Sequence, residues 1–132
     1  MEDRYGGTSV QPSTAETVAE PDGTIVIRFR AGTRLDVRLT GEVADAHIRL
    51  AQGEKRPVLA DVRGLVSADR ASRELAAGPA VVAVTARLAM LVDKPVTRLL
   101  GNFFLRVTTP AYPMRIFGDE ASARTWLKEP LP

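Results

Sequence analysis

The sequence contains no cysteine. That excludes a disulfide framework, a thiolate nucleophile and a thiolate metal site. It has one histidine, so no polyhistidine metal cluster can be assembled, and any Ser–His–Asp set would have to use His47. Aromatic residues make up only 5% of the chain. Its 18 cations are interspersed with 16 anions, leaving a formal charge of +2. A pI near 9.4 therefore comes without the basic stripe or aromatic platform of a nucleic-acid module, and we expect no nucleic-acid partner. No apolar run approaches the ~18 residues of a membrane span, and the N-terminus has no basic-then-apolar leader. The expectation is a cytoplasmic protein. The phosphate-cradling and nucleophile-elbow patterns G-x-G-x-x-G, G-x-x-x-x-G-K-[ST] and G-x-S-x-G are absent too, and no cofactor is expected.

What remains is a chain of 132 residues, 45% hydrophobic and 26% charged, the profile of one globular domain with its own core. Residues 1–23 carry turn formers such as Gly6-Gly7, Pro12-Ser13 and Pro21-Asp22-Gly23 but no apolar period. They read as a disordered tail before a single domain over 24–129. Ile25, Ile27 and Phe29 alternate with Val26, Arg28 and Arg30, and Leu35, Val37 and Leu39 alternate again after Ala31-Gly32-Thr33. The pattern predicts a hairpin of two half-buried strands. Thr40 then reads as a cap for a helix from Glu42 to Gln52, ended by Gly53, with His47 inside its apolar arc.

Pro57-Val58-Leu59-Ala60-Asp61-Val62 is the near-continuous apolar run of a strand covered on both faces. A helix capped at Ser67 to Asp69 and stopped by Gly78-Pro79 follows. After it come a strand over Arg87–Val92, a helix begun by Asp93 with Val96 to Val107 as its stripe, and a strand ending at Phe117. The last helix is capped by Asp119 and docked by Ala123, Trp126 and Leu127. Strands alternating with helices imply crossover connections, hence an α/β fold of order ββαβαβαβα, with helices packed on a mostly parallel five-stranded sheet.

That order resembles the SpoIIAA-like or STAS fold of the anti-sigma-factor antagonists, and the local sequence is similar to an uncharacterised bacterial family with that fold. Three segments carry the likeness: Pro57-Val58-Leu59-Ala60-Asp61-Val62-Arg63, Arg98-Leu99-Leu100-Gly101-Asn102-Phe103-Phe104, and Met114-Arg115-Ile116-Phe117 with Asp119-Glu120, Ala123 and Trp126-Leu127. The resemblance implies regulation by protein–protein contact, with a phosphorylatable serine at the start of the second helix. The matching turn reads Gly64-Leu65-Val66-Ser67-Ala68-Asp69-Arg70-Ala71-Ser72, without a Ser-Ser/Thr-Gly core. Ser67 is carried over as the candidate switch.

The residues themselves mark two further places. Asp61, Arg63, Ser67 and Asp69 cluster at the exit of a parallel strand, where open α/β sheets bind ligands and helix N-termini favour anions. They form a candidate ligand or switch site with Arg63 as counter-charge. Arg98, Asn102 and Leu105 share an outward helix face beside Gly101 and form a candidate interaction surface; the hairpin face bearing Val26, Arg28 and Arg30 is another. The leading expectation is a non-enzymatic regulatory or protein-interaction domain with a protein partner or itself as a homodimer. The alternatives are a module for a small anionic or lipid-like ligand, since this fold type also resembles lipid-carrier domains, and an enzyme using Asp61 or His47.

Overall fold

The computed structural model describes residues 9–10, 15–94 and 111–130. The main sheet runs β1 (Ser9–Val10), β2 (Ala15–Ala19), β3 (Ile25–Phe29), β5 (Arg56–Asp61), β7 (Thr85–Leu91) and β8 (Met114–Phe117), in that spatial order. The pairs β3–β5, β5–β7 and β7–β8 are parallel; β1–β2 and β2–β3 are antiparallel. Short strands β4 (Thr33–Leu35) and β6 (Leu65–Ala68) pair separately and in parallel. Helices α1 (Val37–Ala51), α2 (Arg70–Ala76) and α3 (Pro79–Val82) lie to one side of the sheet; α4 (Glu120–Lys128) packs on the other, against β5 and β7. The architecture is the expected mixed α/β fold, mostly parallel, with the two-residue β1 added at one edge.

Strand alternation divides the core. Ile25, Ile27 and Val58 face α1 and pack with Leu39, Val43 and Leu50. Val26, Leu59, Ala89 and Leu91 point the other way, onto Ala123 and Leu127 of α4. Leu59 and Leu91 are fully buried, as expected of central strands covered on both faces. Arg87, also buried, lies with its guanidinium 5.0 Å from the Trp126 ring and donates to the Trp126 carbonyl near the end of α4, where a cation meets the negative end of the helix dipole.

Three expectations need correction. Residues 15–19, read as part of a tail, form β2, which pairs with β3 along its length from Ala15↔Phe29 to Ala19↔Ile25. Ala15 and Thr17 are buried on the α1 side. They are too small or too polar to have given an apolar period. The hairpin therefore lies between β2 and β3, across the Pro21-Asp22-Gly23 turn, where Gly23 has φ +95°. Residues 34–39 are not its second strand. Asp36 caps α1 by accepting from the Leu39 amide at 2.8 Å, and Val37, expected to point inward, is 47% exposed. The helical spacing of Leu39, Val43, Ala46 and Leu50 overrides the short alternation before it. Gly41 thus falls inside α1, and its bare backbone faces Leu75 of α2. Finally, the face bearing Val26 and Arg28 is not free. Val26 is buried under α4, and Arg28 is held in ion pairs.

Candidate functional site

Asp61 ends β5 on the α4 side of the sheet, directly opposite Arg28 of β3. Its carboxylate accepts from the Arg63 amide, from Arg63 Nε and Nη2 at 3.0 and 2.9 Å, and from Arg28 Nη1 at 3.0 Å. Arg28 also makes a bidentate contact with Glu120 at 2.9 and 3.1 Å. Glu120 in turn accepts from Arg124, whose two terminal nitrogens hold Glu20 at 2.8 and 3.0 Å. The result is an alternating line, Arg63–Asp61–Arg28–Glu120–Arg124–Glu20, that fastens α4 and the β2–β3 turn to the end of β5. Three cations face three anions, so the line is neutral.

The line is reflected in proton affinities. Burial pushes the Asp61 carboxyl up, but the Arg63 hydrogen bonds and charge, with Arg28, outweigh it and hold the group below its ordinary value. Hydrogen bonds from Arg28 and then Arg124 pull Glu120 down to about 2. The Arg28 and Glu120 side chains are partly exposed, at 35% and 33%, so that pair contributes modestly, on the order of 0.5 kcal/mol.

The other sequence-chosen residues lie elsewhere. Ser67 is half-buried in β6, paired with Arg34 of β4, rather than at a helix start. Asp69 is the residue at the α2 start, accepting from the Ser72 amide at 2.7 Å. Ser72 is fully buried and donates to the Leu35 carbonyl. Arg98, Asn102 and Leu105 fall outside the described residues, as does the helical stripe from Val96 to Val107.

A second place was not singled out from the sequence. Between the sheet and α1, α2 and α3 lies a cavity of about 220 Å³. Its floor is sheet side chains including Val58, Ala60, Leu88 and Met90; its roof includes Val43 and His47 of α1. Ala76 and Ala77, both lining and exposed, mark where it meets solvent at the end of α2. Ala44, Ala60, Ala68, Ala76 and Ala77 bring only methyl groups to its lining. Those alanines were the one available signal, and alanine in helices and buried strands is too common to be noticed as missing volume.

Among the described residues the wall is mostly apolar. Thr40, Ser72 and Thr85 line it, but each gives its hydroxyl proton to a backbone carbonyl, of Asp36, Leu35 and Val81 respectively. His47 is the exception. It is 3% exposed and its Nε2 has no hydrogen-bond partner. Burial lowers its pKa from 6.5 to about 4, so the ring is neutral at physiological pH. Tyr112 also lines the cavity, and burial raises its hydroxyl pKa.

These shifts predict two steps in acid unfolding. Below pH 6.5 an unfolded chain protonates its histidine while the folded chain does not, so stability falls from about pH 6.5 and levels off near 4. Glu120 contributes stability above its ordinary 4.5, and that contribution is lost as pH falls from 4.5 toward 2. Thermal melts should therefore show the melting temperature declining between pH 7 and 5 in the parent protein. The decline should disappear in His47→Leu, with the acid step below 4.5 retained in both. Parallel curves over pH 7 to 5 would contradict the buried, neutral state of His47.

Among the described residues, no helix is long and apolar enough to cross a membrane, and no group of three or more His, Asp or Glu is placed to hold a metal ion. A solved structure matches the fold: an uncharacterized protein from the DUF3478 family with a SpoIIAA-like fold, from Shewanella loihica PV-4. The two are 16% identical with a TM-score of 0.54, and the match covers 96% of this chain and 98% of that one. At that identity the likeness establishes the SpoIIAA-like fold and nothing finer. No curated protein matches the sequence. The family model for a domain of unknown function, DUF7793, matches residues 18–130, which takes in β3 to α4 and the end of β2. The chain belongs to the DUF7793 family, built on a SpoIIAA-like fold.

Proposed function

We propose that the domain is a non-catalytic binding module that holds a small, largely apolar molecule between its sheet and α1–α3. The observation that carries this reading is the cavity of about 220 Å³, whose lining among the described residues is mostly aliphatic, with the hydroxyls of Thr40, Ser72 and Thr85 turned to the backbone. Natural cores are packed to few voids larger than a water molecule, and each void forfeits dispersion contacts. An apolar occupant restores those contacts. Of the two ligand classes the sequence suggests, the structure supports the lipid-like one. Arg63, the expected counter-charge for an anion, already faces Asp61. Two arginines occupy the Asp61 carboxylate, and His47 sits in an apolar wall, which argues against acid–base catalysis by either residue.

An apolar cavity of about 150 Å³ takes benzene, so one of this size suits a molecule of roughly nine non-hydrogen atoms. 4-Ethyltoluene meets that size and carries no polar group. Calorimetric titration should give saturable binding with Kd on the order of 0.1 mM and a negative heat-capacity change. Absence of saturable heat across temperatures would defeat the reading.

A second reading, self-association through a sheet edge, has its own observation. Among the described residues β8 is the last strand of the sheet, and Ile116 on it is 43% exposed. Edge strands invite pairing with another chain unless charged or covered. A dimer in light scattering that dissociates on Ile116→Lys would support it; a monomer at all concentrations would not.

A further inference from the structure

His47 adds a polar requirement to the proposed cavity. Its Nε2 is buried and unpartnered, in a wall where Thr40, Ser72 and Thr85 have already donated their hydroxyl protons. A buried nitrogen without a partner carries an uncompensated desolvation cost, which an occupant that bonds it would recover. A lone water is a poor remedy. Ordered internal water uses two to four polar partners, and here it would gain His47 while facing hydrocarbon on most sides. An ionised carboxylate or phosphate is poorer still, because it would be stripped of water beside a neutral ring, while Arg28 and Arg63 are paired with Asp61 on the α4 side of the sheet. A neutral hydroxyl fits. It can give a proton to Nε2 or accept one from it, so it serves either tautomer of the ring.

Resting on the binding reading above, we infer that the occupant is a neutral apolar alcohol or phenol whose hydroxyl hydrogen-bonds His47 Nε2 while its hydrocarbon body lies against Val58, Leu88 and Met90. His47 is then the residue that sets ligand class, and the aliphatic wall sets ligand size. Among the described residues of the wall, Tyr112 is another polar side chain able to meet the same hydroxyl.

The test is a cycle of two ligands and two proteins. 4-Ethylphenol and 4-ethyltoluene have nearly the same shape and differ by a hydroxyl in place of a methyl. His47→Leu replaces the ring by a hydrocarbon. The inference predicts that the substitution weakens 4-ethylphenol relative to 4-ethyltoluene by about tenfold or more. It also predicts that 4-ethylphenol, and not 4-ethyltoluene, moves the His47 Nε2 nitrogen resonance in the unmodified protein. The resonance keeps the inference testable should the variant fold poorly. Equal effects on both ligands with an unmoved resonance would overturn the role of His47 and leave the apolar cavity standing. A relative loss caused by Tyr112→Phe and not by His47→Leu would overturn it in favour of the tyrosine. Binding of neither ligand would overturn the cavity and this inference together.

Discussion

Gly64→Ala should destabilise the protein by about 3 kcal/mol or more and lower its melting temperature by on the order of 10 °C. Gly64 lies between β5 and β6, pressed against the chain that leaves β3. A Cβ on it would run into the carbonyl oxygens of both Phe29 and Arg30. These are backbone atoms and cannot swing aside as a side chain would. Gly64 also supplies the carbonyl that accepts from the Gly32 and Thr33 amides at 2.9 and 3.1 Å, so any shift that relieves the clash loosens those bonds. No positive φ is involved; close approach alone makes the position a glycine. Because the segment leads into β6, which lines the cavity at Leu65 and Ala68, the loss should extend to ligand binding. Circular-dichroism melts measure the effect directly. A variant melting within 2 °C of the parent, by the usual few degrees per kcal/mol, would show that the loop yields easily.

Ala60→Leu should separate the two effects: binding of 4-ethyltoluene weakened about tenfold or more, with stability unchanged or raised. Ala60 sits in the centre of the sheet, in register with Ile27 and Met90, and its methyl forms part of the cavity floor. A leucine there projects into the space that the ligand would occupy. In a tightly filled core such an enlargement costs about 1–3 kcal/mol, whereas in a cavity each added carbon gains contact. The two measurements are therefore tied. A fall in melting temperature with undiminished binding would mean that the ligand lies elsewhere.

Much of this arrangement is legible in the sequence, for reasons that differ along the chain. The central strands announce themselves because both faces are covered, which forces near-continuous apolar runs at Pro57–Val62 and Arg87–Val92. α4 is legible because its cap Asp119 and its docking residues Ala123 and Leu127 are local features. β2 is not, since its inward positions hold Ala15 and Thr17, and pairing with β3 rather than apolar area fixes it. The start of α1 is obscured because Leu35, Val37 and Leu39 alternate like a strand while Asp36 is already the cap.

The site divides in the same way. Proximity in sequence brought Asp61, Arg63, Ser67 and Asp69 together, yet Arg63 pairs with Asp61 toward α4 while Asp69 serves α2. The ion-pair line joins Glu20, Arg28, Asp61 and Glu120 from four separate segments, and such long-range partners leave no local trace. A cavity is less visible again, because its lining is gathered from residues far apart in the chain. His47 is legible in the sequence as an isolated histidine on an apolar arc. Only the fold shows that the arc faces a space and that Nε2 has no partner there.

The most direct measurement of the central claim is an isotope-edited NOE spectrum of the protein with 4-ethyltoluene. Bound between the sheet and α1–α3, the ligand should give cross-peaks to methyl groups of Val43, Val58, Leu88 and Met90, all of which line the cavity. Cross-peaks confined to the exposed side chains Val37, Val66, Leu75 or Ile116, or none at saturating ligand, would contradict it.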